Sequence, residues 1–79
     1  MDIRSLITID KEILGGQPVF TGTRVPVESL FDHLEAGISL DEVLDDFPTV
    51  THQQAVDILE AANKSLTSKN LEQLYAAVA

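Results

Sequence analysis

The 79-residue chain has no cysteine and no tryptophan, only three prolines and four glycines, and five basic residues against thirteen acidic ones. Without cysteine there is neither a disulfide nor a thiolate-held metal to stabilise so short a chain, so helix packing or association with another chain must do so. The scarcity of proline and glycine, with 44% hydrophobic and 23% charged residues, excludes a disordered tail or a fibrous repeat. The length is too short for a multidomain enzyme and is expected of a single small domain over residues 1–79 or of a partner-dependent piece of something larger. A domain of this size buries only about 60–65% of the surface of its unfolded chain. Long apolar runs are also missing, and Met1-Asp2-Ile3-Arg4 lacks the hydrophobic stretch of a signal peptide. Neither membrane insertion nor export is therefore expected, and the expected location is the cytoplasm. A formal net charge of −8 and a pI of about 4.3 set the chain against free DNA and anionic membranes.

What is present divides at Pro26. Leu6-Ile7-Thr8-Ile9 and Pro18-Val19-Phe20 are short β-branched or aromatic runs bounded by Gly15-Gly16 and Thr21-Gly22-Thr23, which is the chemistry of strands and turns. Residues 1–26 therefore read as an extended β-arm, with Gly15 and Gly16 supplying positive φ in a turn. Pro26 holds Val25 extended and suits the first turn of a helix. From Val27 the period becomes helical: Val27, Leu30, Phe31 and Leu34 fall within about 100° of arc, and Gly37 ends that helix. Ser39 with Glu42 makes a capping box, followed by Leu40, Val43, Leu44 and Phe47 on one face until Pro48 stops the second helix. Thr51 with Gln54 makes another box, opening a third helix through Lys64 whose Ala55, Val56, Ile58, Leu59, Ala61 and Ala62 mark it as the most enclosed. Residues 65–70 read as a polar linker, and Leu71, Leu74, Tyr75 and Val78 give a short fourth helix an apolar face.

The expected fold is thus mainly α: a β-arm, a three-helix bundle over 27–64 with homeodomain-like proportions and a helix-turn-helix, then a linker and C-terminal helix over 65–79. The stretch Ile7-Thr8-Ile9-Asp10, Ile13-Leu14-Gly15-Gly16-Gln17-Pro18-Val19 and Thr21-Gly22-Thr23-Arg24-Val25-Pro26-Val27, followed by Leu34, Gly37, Ser39, Glu42 and Phe47-Pro48, resembles the family called domain of unknown function 433. Its distinctive part is Gly-Gly-x-Pro-Val followed by Gly-Thr-Arg-x-Pro-Val, carrying Gly15, Gly16, Pro18, Gly22, Thr23, Arg24 and Pro26. The resemblance implies an arm followed by a homeodomain-like bundle, and a role as the antitoxin half of a bacterial toxin-antitoxin pair whose partner is a PIN-like ribonuclease.

Charge placement bears on that expectation. Between Pro26 and Asn63 lie nine acids and no lysine or arginine, hence −9; outside it five bases and four acids leave +1. A helix that reads DNA normally presents Arg or Lys to guanine and phosphate. The third helix instead opens with Thr51, His52 and Gln53, so DNA binding is expected only weakly or as part of a complex, with Arg24 contributing. A stand-alone DNA-binding regulator is the alternative reading. Asp41, Glu42, Asp45 and Asp46 are candidate contacts for a cationic partner, against the plainer reading of a solvated face. Arg24 has two readings as well: it clamps a phosphate or carboxylate, or it pairs with an acid of the helices and locks the arm in place. The fourth helix packs within the chain or against a second copy, or wraps a toxin. Free strand edges also allow an arm-paired homodimer. Ser29, Asp32 and His33 lie on one helix without a pocket or oxyanion site, so no catalytic residue is assigned. No metal site and no cofactor is expected, because His33 and His52 lack zinc spacing.

Overall fold

Asp2 begins the first element. Its carboxylate accepts the Arg4 N–H at 2.9 Å and caps a single helical turn, α1 (Ile3–Leu6), in the computed structural model, which describes residues 2–78 and, within them, all side chains but those of Asn70 and Val78. Because Leu6 closes that turn, the strand expected over Leu6 to Ile9 is shortened to β1 (Ile7–Thr8), and Ile9 is left 70% exposed. β1 pairs antiparallel with β2 (Val19–Phe20), setting Ile7 opposite Phe20 and Thr8 opposite Val19.

Between the strands the chain reverses through a 3₁₀ turn, Leu14–Gly16. Gly15 and Gly16 take φ of 68° and 96°, as the glycine pair requires, and Leu14 joins them at 49°. A left-handed leucine is strained, since its Cβ crowds the backbone.

Val27 donates its N–H to the Pro18 carbonyl at 3.0 Å, and Pro26 forms a bridge with Val19. These bonds set the start of α2 (Val27–Glu35) against the arm. α3 (Leu40–Asp46) follows, capped by Ser39, whose hydroxyl accepts the Glu42 N–H. The capping box expected there is half made: among the described residues Glu42 returns no bond to Ser39. Both bonds form at Thr51 and Gln54, opening α4 (His52–Thr67).

Two expectations about the C-terminal half are corrected. First, α4 runs past Lys64 to Thr67, and the linker expected over 65–70 shrinks to Ser68 before α5 (Lys69–Val78). Ser65 and Thr67 read as linker residues, yet each bonds a carbonyl one turn back: Ser65 Oγ donates to Ala61 O at 3.0 Å and Thr67 Oγ1 to Asn63 O at 2.8 Å. Second, α4 is not the most enclosed element. Only Ala55 and Ile58 are buried, Val56 is 37% exposed, and every described side chain from Asn63 onward is exposed.

The core explains why. Leu6 and Phe20 from the arm join Val27, Leu30, Val43, Val50, Ala55 and Ile58 in one cluster, and Val19, Phe20 and Leu30 are each 1% exposed. The arm is thus a wall of the core rather than an appendage, and the apolar material the bundle needs comes from it instead of from α5. The molecule is mainly helical, with one two-stranded antiparallel sheet near its N-terminus.

Candidate interaction surfaces

Most of the Gly22 to Val27 motif is absorbed by architecture. Gly22 takes φ of 81°, which turns the chain after Phe20. Thr23 then fastens that turn: its N–H and its hydroxyl both donate to the Phe20 carbonyl, at 3.0 and 2.8 Å, and its oxygen accepts the Val25 N–H at 3.0 Å. Phe20 N–H closes the loop on the Val25 carbonyl at 3.0 Å. Pro26 stands at the N-cap of α2 and Val27 is buried. In the preceding half of the motif, the Pro18 carbonyl receives Val27, and Gln17 Nε2 donates to Glu28 at 3.2 Å.

Arg24 is the exception. Its side chain is exposed and makes no hydrogen bond or ion pair among the described residues, where the ion pairs are Arg4 with Asp2 and Lys64 with Glu60. The expectation that Arg24 locks the arm by pairing with an acid is overturned. That work falls to Gln54. Its Oε1 accepts the Thr51 N–H at 2.9 Å while its Nε2 donates to the Thr21 carbonyl at 2.9 Å, so one amide caps α4 and straps the arm to it. The capping spacing marked Gln54 in sequence, but the second bond spans 33 positions and left no local signal.

Arg24 lies on the rim of an open cleft of about 580 Å³ shared with Thr8, Ile13, Gly22, Thr23 and Thr49. The nearby start of α4 is less available than its composition suggests. The Thr51 hydroxyl is committed to the Gln54 N–H and Gln53 Nε2 to Asp57 at 2.8 Å, leaving His52 exposed. Asp41, Glu42, Asp45 and Asp46 are all exposed, and none makes an ion pair among the described residues. Of the nine acids between Pro26 and Asn63, only Asp57 is partly covered. His33 Nδ1 donates to the Ser29 carbonyl at 2.6 Å and its ring meets Phe47 edge-on at 5.4 Å. It is thus aimed at the backbone and an aromatic neighbour, not at the Ser29 hydroxyl. Among the described residues no three acidic or histidine side chains converge as metal ligands, and no helix is long and apolar enough to cross a membrane.

A family model described as "Protein of unknown function (DUF433)" matches residues 7–61. The chain belongs to the DUF433 family. The matched span begins at β1 and ends within α4, so it takes in the arm, the glycine turns and the three helices around the core. Among individual proteins, the chain is similar to "Uncharacterized protein y4eO" of Sinorhizobium fredii (strain NBRC 101917 / NGR234), at 40% identity over 47 residues, covering 60% of this chain. That stretch spans 21% of the relative's length. No solved structure matches. Residues from Ala62 onward, including all of α5, lie outside the family span.

Proposed function

We propose that this DUF433 chain is a noncatalytic, antitoxin-like binding protein that occupies a PIN-like ribonuclease toxin. The observation that carries the reading is the acidic face: Asp41, Glu42, Asp45 and Asp46 stand exposed, with no ion pair among the described residues, on a bundle of −9. A surface that binds RNA is cationic, and a face of this sign draws it in and competes with its substrate. The homeodomain-like helix-turn-helix reading of α3 and α4 belongs to the same proposal, with the chain helping the complex to repress its own operon. DNA contact then comes through the complex, because the start of α4 offers no lysine or arginine and the nine acids between Pro26 and Asn63 repel phosphate.

Arg24 favours that supporting role on DNA. It is the one side chain of the Gly22 to Val27 turn without an architectural task, and a free guanidinium suits a phosphate oxygen. The test is co-expression with a ribonuclease encoded next to this gene. Relief of growth arrest and co-purification as a complex are expected, and the fourfold replacement of Asp41, Glu42, Asp45 and Asp46 by Asn or Gln removes both. An unrelieved arrest with the wild-type chain contradicts the reading.

A further inference from the structure

The cleft beside Arg24 is built from segments distant in sequence, and bonds within the chain hold its walls. Thr8 of β1, Ile13 ahead of the 3₁₀ turn, residues 22–25 and Thr49 between α3 and α4 line about 580 Å³ of space, within the range of small-molecule sites, about 300–1,000 Å³. Ile13 is held from both sides, donating its N–H to the Asp10 carbonyl at 2.9 Å and accepting the Gly16 N–H at 3.0 Å. The Thr23 bonds hold the turn that carries Arg24, so little ordering remains to weaken binding. The Thr8 hydroxyl is shared with that of Thr21 at 3.2 Å. Two side-chain donors of the lining, the Arg24 guanidinium and the Thr49 hydroxyl, have no partner among the described residues. Ile13 and Val25 add aliphatic surface, and Arg24 is the only charged residue of the lining.

We propose that this cleft binds a small organic monoanion, a carboxylate carried on an apolar body. The Arg24 guanidinium donates parallel N–H bonds to the two carboxylate oxygens, the Thr49 hydroxyl donates to one of them, and Ile13 and Val25 receive the apolar body. Charge selects this ligand class. A run of nucleic-acid phosphates needs a cation at each contact, whereas one cation lies here, in a chain of −8. A phosphate monoester brings about −1.5 to −2 of charge; a carboxylate brings a single charge, which one guanidinium balances. On the antitoxin reading Arg24 meets an operator phosphate in the complex, so the acid and that phosphate compete for one guanidinium, but the site itself does not rest on that reading.

The test is a titration of the isotope-labelled full chain with phenylacetate at constant ionic strength, followed by amide NMR. Saturating shifts at Ile13, Arg24, Val25 and Thr49 are expected, with a Kd of about 1–10 mM for a ligand of this size. The neutral phenylacetamide is expected to bind about tenfold more weakly, because it loses the charge-assisted bonds. Arg24→Gln, with an unchanged circular dichroism spectrum, is expected to bind the acid no better than the wild-type chain binds the amide. Shifts that do not saturate by about 50 mM acid overturn the proposal, as do saturating shifts that gather at Ile3 and Ile9 instead. Arg24→Gln binding the acid like the wild-type chain also overturns it. So does tighter binding of phenyl phosphate, or of a short single-stranded oligonucleotide, at the same residues, which assigns the cleft to phosphate. Each assay uses the free chain, so its failure is distinct from a failure to occupy a toxin or to hold operator DNA.

Discussion

Gln54 and Arg24 divide the residue-scale account between them. Gln54 uses both ends of one amide, at 2.9 Å each, to cap α4 and to hold the arm. Replacing it by Ala removes a cap bond and a partly buried tertiary bond, each of which contributes about 1 kcal/mol. Gln54→Ala is therefore expected to lower stability by about 1–2 kcal/mol in a urea titration, with Gln54→Glu close behind because it keeps an acceptor for Thr51 and loses the donor to Thr21. An unchanged midpoint for both contradicts the strap. Arg24 makes no side-chain bond among the described residues, so Arg24→Ala is expected to shift stability by less than about 0.5 kcal/mol, and, on the proposed function, to weaken retention of operator DNA by the complex in a mobility-shift assay. The glycine turn and the Thr51 box were legible in sequence because their partners lie within four residues. The Gln54 strap and the free Arg24 were not, because each depends on what folding brings near from a distance.

At the scale of elements, the arm counts as core. Leu6 and Phe20 pack with residues of α2, α3 and α4, so few buried side chains carry the fold and each matters. Leu30, 1% exposed, is the clearest case: Leu30→Ala is expected to cost about 2–5 kcal/mol, enough to leave a domain this small largely unfolded at room temperature by circular dichroism. Helical periodicity made α2, α3 and the start of α4 legible. It misjudged the end of α4 because Ser65 and Thr67 are turn formers by composition and helix residues by their bonds. It could not place α5, since an apolar stripe on a helix states that something covers it and not what. Ending the chain after Ser68 removes α5, whose described side chains are all exposed, and is expected to leave a folded body with a melting temperature close to that of the full chain by circular dichroism.

Across the whole molecule, charge is unevenly divided: −9 between Pro26 and Asn63 and +1 elsewhere. That division was fully legible in sequence, and the fold adds that eight of the nine acids are exposed and that, among the described residues, Glu60 alone of them has an ion pair, with Lys64. On the proposed function, steering of a cationic ribonuclease to the acidic residues weakens as salt shortens the range of charge, to about 3 Å at 1 M, so affinity for the toxin measured across a salt series is expected to fall. The central claim, that this DUF433 chain acts by occupying a ribonuclease, is tested most directly by titrating it into the RNA-cleavage assay of the ribonuclease encoded beside it. The account predicts that cleavage falls to zero at a fixed stoichiometric ratio and returns with the fourfold replacement of Asp41, Glu42, Asp45 and Asp46. Cleavage that continues unchanged at a large excess of the wild-type chain would contradict it.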